Sequence, residues 1–258
     1  MSNISATLSA LKEQGKKALV TFITAGDPNL ETSENIVHKL IESGVDMIEL
    51  GFPFSDPMAD GPTIQLASER ALESGTTLRG ILDMVARVRQ HSNTPIILMG
   101  YFNPVLQYGV EAFCRKCREV GIDGLILPDL PLEIYERDYK NLIEPYGLSM
   151  AFLISPQTSE ARVRRIDQAS TSFIYMVSSA STTGVQDGFG KGQEGYFRRI
   201  EAMGLEHPQI VGFGISDAKS FQTATERAKG AIIGSAFVRM LDREGIGGIE
   251  AFIRNIRP

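Results

Sequence analysis

The segment Ile48-Glu-Leu-Gly-Phe-Pro-Phe-Ser-Asp-Pro-Met-Ala-Asp-Gly-Pro62 carries two carboxylates in opposite settings. Glu49 sits inside the apolar run Met47-Ile-Glu-Leu-Gly51. A carboxyl withdrawn from water without a partner keeps its proton to higher pH. Asp60 follows on a loop stiffened by Pro53, Pro57 and Pro62. One desolvated carboxylate beside a better solvated one is the combination acid–base catalysis uses. The first can exchange a proton near neutral pH while the second stays ionised. Competing readings come from the same residues. Asp60-Gly61 is a common turn signal, and Asp56 before Pro57 is another. Glu49 could be a structural carboxylate paired with Lys or Arg, although Lys191 is the only basic residue near the predicted strand mouths.

The elements that would place these acids form an alternating pattern. Short apolar, β-branched runs predict strands at 18–24, 47–52, 95–101, 124–127, 148–154, 173–178, 209–212 and 231–234. Amphipathic stretches lie between them, such as 34–43, with Ile36, Val37, Leu40 and Ile41 on one face, and 76–90. Apolar strands alternating with helices mean parallel strands buried on both faces. Eight such units in 258 residues predict a single (β/α)8 TIM barrel as one catalytic domain over residues 1–258. An extra N-terminal helix at 4–16, with Ile4, Leu8 and Leu11 at helical spacing, would cap the barrel floor. A doubly wound open sheet is the alternative, but Thr24-Ala-Gly-Asp-Pro28 is not the glycine fingerprint such a sheet uses.

In a barrel the site lies at the C-terminal ends of the strands, and strand residues alternate between lumen and helix layer. Bulky Ile48, Leu50 and Phe52 suit the helix layer, which turns Met47, Glu49 and Gly51 into the lumen. The last two strands end in Val211-Gly-Phe-Gly-Ile-Ser216 and Ile232-Ile-Gly-Ser-Ala236, the second opening a helix at 235–241. Glycines at these two places let backbone N–H groups and a helix N-terminus approach a phosphate. The glycine-rich loop 178–192 is long for its place and is a lid candidate.

Composition narrows the partners. The net charge is −5, from 26 basic and 31 acidic side chains, which argues against nucleic acid or an anionic membrane. No apolar run approaches the roughly 20 residues of a membrane span, and the N-terminus lacks a signal-peptide pattern. Cys114 and Cys117 match a redox spacing but fall on one face of an amphipathic helix at 110–120, where packing is the commoner role. His38, His91 and His207 are scattered singly, so no metal site is expected. A reducing, cytoplasmic setting fits this usage.

At this point the sequence resembles the tryptophan synthase alpha chain family over essentially its whole length. The most specific segment is residues 46–65, with Phe22-Ile-Thr-Ala-Gly-Asp-Pro28, Tyr101-Phe-Asn-Pro104, Pro128-Asp-Leu-Pro131, Gly212-Phe-Gly-Ile215 and Gly234-Ser235 in order. The resemblance implies a lyase of tryptophan biosynthesis that cleaves indole-3-glycerol phosphate to indole and glyceraldehyde 3-phosphate. It implies Glu49 and Asp60 as catalytic carboxylates, and Phe22, Tyr175 and Phe213 around indole. It implies phosphate contacts from Gly184, Gly214, Ile215, Gly234 and Ser235, with Thr183 beside the catalytic aspartate. It also implies no cofactor in this chain and an alpha2-beta2 tetramer with a pyridoxal-phosphate-dependent beta chain facing the loop 53–60. One departure stands out: Ser181 and Thr182 occupy places where the family usually has Gly and Val, which bears on lid closure. Two rival functions are a barrel phosphosugar isomerase and a non-catalytic activating subunit of the beta chain.

Overall fold

The computed structural model describes residues 2–58, 60–178, 191–212 and 214–257. Nine strands follow in chain order: β1 Ala18–Thr24, β2 Met47–Gly51, β3 Ile96–Met99, β4 Gly124–Ile126, β5 Ser149–Met150, β6 Phe152–Ile154, β7 Ile174–Val177, β8 Gln209–Gly212 and β9 Gly230–Ile233. The helices begin with α1 Asn3–Glu13, α2 Leu30–Glu42, α3 Pro62–Glu73, α4 Leu78–Val88, α5 Phe102–Tyr108 and α6 Val110–Val120. Then α7 Leu132–Ile134 runs through a π-helical turn, Tyr135–Tyr139, into α8 Lys140–Ile143. The last are α9 Glu160–Ala169, α10 Lys191–Ala202, α11 Ala218–Thr225, α12 Ser235–Glu244 and α13 Ile249–Ile256.

Every strand pairing is parallel, in the order β5-β4-β3-β2-β1-β9-β8-β7-β6. The two ends of that order are halves of one extended segment. The Ala151 N–H donates to Leu125 O at 3.2 Å, and beyond it Phe152 pairs with Ile174. The expected fifth strand thus pairs with β4 on its first half and with β7 on its second, and the sheet closes into a barrel. Eight strands were expected, and the ninth arises from this change of partner.

Local signals set the element ends. Asn29 caps α2 by accepting from Thr32 N at 2.9 Å, and Thr77 caps α4 from Gly80 N at 3.1 Å. Gly121, at φ +84°, lets α6 stop in a left-handed turn. Between sheet and helices lies one core, with Ile48, Leu50, Ile96 and Leu98 meeting Val37, Leu40 and Val85. Inside the barrel lies a second, with Val20, Met47, Ile97, Ile126, Tyr175, Ile210 and Ile232. The alternation read from β2 holds: Ile48, Leu50 and Phe52 face the helices and Met47 faces the lumen.

Helix α1 seals the lower end of the lumen: Ile4, Leu8 and Leu11 belong to the inner core. Ile4 is fully buried, and its Cδ1 lies 3.0 Å from where a Cβ on Gly124 would stand. Ile4→Ala should lower unfolding stability by about 2–4 kcal/mol, the range for emptying a buried aliphatic site. Urea denaturation with an unchanged slope checks this, and a loss below about 1 kcal/mol would mean the floor collapses around the gap.

Cys114 and Cys117 are both buried, and burial pushes the Cys114 thiol up to about 12 and the Cys117 thiol further. They are packing residues of α6. The histidines are less scattered than expected, since the rings of His38 and His91 meet edge-on at 5.8 Å. His207 lies 3.2 Å from Asp167.

Candidate active site

β2 carries Glu49 in the lumen, level with Phe22 on β1 and Ile97 on β3. It is 1% exposed, and among the described residues neither carboxyl oxygen has a hydrogen-bond partner. A buried carboxyl with no donor pays for ionisation in lost hydration, so it stays protonated. Burial pushes Glu49 up to about 8, and the negative charge of Asp60 adds to the rise. The structural alternative required a Lys or Arg partner, and among the described residues Glu49 has none.

Asp60 precedes α3, whose N-cap residue is Gly61 and whose first turn holds Pro62. Two side chains fix its position. Gln65 Nε2 donates to the Asp60 backbone oxygen at 2.7 Å. The Tyr101 hydroxyl donates to Asp60 Oδ2 at 3.2 Å and accepts from Met58 N at 2.8 Å. Tyr101 is itself stacked on Phe54 with ring centroids 5.0 Å apart. Asp60 is half-buried, which raises its pKa, and the Tyr101 hydrogen bond opposes that rise. The contrast of settings inferred from sequence is therefore one of degree: Glu49 is shut away, and Asp60 is partly shielded but hydrogen-bonded. Asp56, the other loop acid, is exposed and bonded to Ser55, away from this pair.

Tyr101 was not singled out as a site residue by sequence. Its signal was a phenol immediately beyond β3, at the mouth-side end where functional side chains gather. What it bonds across 41 positions of chain could not be read from that. The segment after β3 is pinned by Asp129, whose carboxylate oxygens accept from Phe102 N at 2.9 and 3.0 Å.

The walls of the pocket are aromatic. Tyr175 on β7 is 2% exposed, and burial raises its hydroxyl pKa well above normal, with the charges of Glu49 and Asp60 adding. Its hydroxyl would lie 2.2 Å from a Cβ on Gly212, so the ring needs that glycine opposite it. Phe22 reaches under Gly51, where a Cβ would come within 2.6 Å of its ring, and lies 3.5 Å from the corresponding point on Gly234. Phe22 thus stands between the end of β2 and Gly234 beyond β9.

Those two ends are adjacent, with Gly212 level with Ile232. Gly214, at φ +75°, and Ile215 follow β8, while Gly234 and Ser235 follow β9 and open α12. Among the described residues no side chain caps the α12 N-terminus, where backbone N–H groups can meet an anion. The Ile215 side chain is buried in the outer core, so its backbone alone can face a phosphate. Thr183, Gly184 and Phe213 lie outside the described residues, as do Ser181 and Thr182. Among the described residues no cluster of three or more His, Cys, Asp or Glu could hold a metal ion, and no helix is long and apolar enough to cross a membrane.

The family profile described as tryptophan synthase alpha chain matches residues 8–255. The chain is 55% identical over 245 residues to the tryptophan synthase alpha chain of Flavobacterium johnsoniae, spanning 95% of this chain and 97% of that one. It superposes on tryptophan synthase subunit alpha from Legionella pneumophila with a TM-score of 0.90 at 36% identity, covering 100% of this chain and 97% of that chain. A chain of the tryptophan synthase complex from Pyrococcus furiosus matches with a TM-score of 0.85 at 33% identity, covering 93% of this chain and 97% of that chain.

Proposed function

The chain belongs to the tryptophan synthase alpha chain family, and from that premise we propose that Glu49 and Asp60 are the acid–base pair with which it cleaves indole-3-glycerol phosphate to indole and glyceraldehyde 3-phosphate. The observation that carries this assignment is Glu49 itself: a lumen carboxyl, 1% exposed, unpartnered among the described residues and pushed up to about 8. The cleavage is a retro-aldol reaction. An indole carbanion leaves poorly, so the ring is first protonated at C3 to give an indolenine-like cation. Protonated Glu49 supplies that proton. The resulting carboxylate then takes the hydroxyl proton as the carbon–carbon bond breaks, which returns Glu49 to its starting state. Asp60, ionised, accepts the ring N–H and stabilises the positive charge that develops there. Tyr101 aims Asp60 at that position.

Phe22 and Tyr175 line the indole pocket, joined by Phe213. The backbones of Gly214, Ile215 and Gly234, with Ser235 and the loop residues Thr183 and Gly184, hold the phosphate. That anchor fixes C3 over Glu49 and converts binding energy into position. We place the reaction in the cytoplasm, with no cofactor in this chain and pyridoxal phosphate in a beta chain of an alpha2-beta2 tetramer. The loop at 53–60 offers the partner an exposed Met58, at 85% exposure, and an Asp60 that chemistry requires in place.

The test is indole release from indole-3-glycerol phosphate by the purified chain, with and without a beta chain. Slow release alone and faster release with the partner are expected. A chain that binds the beta chain but releases no indole would overturn the assignment.

A further inference from the structure

At the end of the barrel opposite the carboxylates, a cleft of about 720 Å³ opens between α1 and the N-terminal ends of β1, β7, β8 and β9. That volume suits a metabolite-sized ligand. Lys12, Lys16, Lys17 and Lys229 line it, against one lining carboxylate, Glu206. The four lysines come from two chain segments, 12–17 and 229, and put like charge on one cleft that an anion would relieve. The crowding is felt at Lys17, whose pKa is lowered by burial and then by the charge of Lys229, with Glu201 opposing. Lys17 Nζ donates one hydrogen bond, to Ala228 O at 2.8 Å. Leu8 and Leu205 give the cleft a partly apolar wall.

We propose that this floor cleft is a binding site for a small organic polyanion, either a phosphate ester or a polycarboxylate, held by the four lysines. Ammonium groups bind phosphate and carboxylate oxygens through charge-assisted hydrogen bonds. Such a ligand would join α1 to four strand ends, and so raise the melting temperature of the chain.

The test is calorimetric titration of the full chain at low salt with tripolyphosphate and, separately, citrate, each with glycerol 3-phosphate saturating the opposite end. One equivalent is expected to bind, more weakly as salt rises. Tighter binding of tripolyphosphate assigns phosphate as the natural source, and tighter binding of citrate assigns carboxylate. Lys16→Glu with Lys229→Glu should weaken binding at least about tenfold, since two attractive charges become repulsive. Indole release should be unchanged in this variant, because these residues lie at the far end of the barrel. Failure of the wild-type chain to bind either probe at millimolar concentration, or equal binding by the doubly charge-reversed chain, would overturn the proposal.

Discussion

Glu49→Gln should slow indole release by roughly 10²–10⁴-fold, the span a general acid–base group contributes, and should also make the protein more stable at neutral pH. The two effects have one origin. Glu49 in the folded chain holds its proton to about 8, while in the unfolded chain it releases it at its ordinary carboxyl value. The folded state therefore binds the extra proton between those values, and stability falls as pH rises through that window. Below the window the group costs nothing; above about 8 the full penalty is present. At neutral pH the penalty is on the order of 3 kcal/mol. Gln keeps the shape and removes the titration, so the variant should lose this pH-dependent slope. Urea melts of both proteins across neutral and alkaline pH, beside the indole assay, read the two effects separately. A variant that is inactive and less stable at every pH would make Glu49 a structural residue. A variant that releases indole normally would leave the chain as an activating subunit of its partner.

Asp60→Asn carries the second large effect, about 10²–10³ in kcat/KM, as for removal of a preorganised group facing developing charge. Its pH profile is the sharper readout. In the wild type, kcat/KM should fall on the acid side as Asp60 takes a proton and on the alkaline side as Glu49 loses one, with limits that belong to the interacting pair. The Asn variant should lose the acid limb. Its alkaline limb should move to lower pH, because the Asp60 charge is one cause of the high Glu49 value. Tyr101→Phe should do the converse in miniature: it removes a hydrogen bond that lowers Asp60, so the acid limb should move to higher pH with a smaller loss of rate. An acid limb unmoved in both variants would remove Asp60 from the chemistry.

These two acids were not equally legible in the sequence. Glu49 could be read because period-two alternation is strict: once Ile48 and Leu50 claim the helix layer, Glu49 has one side left. Asp60 could not be told from a turn residue until its loop was seen folded back onto Tyr101. Strand positions came from apolar runs, and all eight expected strands lie where the runs are. The break at Ala151 escaped notice, because a change of hydrogen-bond partner leaves no mark in a continuous apolar segment. Helices α3 and α5 also went unread: the buried face of α3 is Ile64, Ala67, Ser68 and Ala71, a weak apolar stripe, and α5 is only seven residues long. The floor cleft was invisible for the same reason as Tyr101: Lys12, Thr171 and Lys229 meet only after the barrel closes.

Helix α1 has a consequence for the order in which the chain can finish folding. It precedes every strand, yet the inner core it completes includes Phe173, Ile210 and Ile232, from the last third of the chain. Its apolar face can gain its full set of neighbours only after β7, β8 and β9 exist. Contacts spanning such sequence distances form late, because loop closure is charged before they return anything. Ile4, Leu8 and Leu11 thus act as a completion signal: a truncated or half-formed barrel leaves that stripe uncovered and sticky. A chain-length series should accordingly show protease sensitivity at α1 persisting until β9 is present, then disappearing in one step.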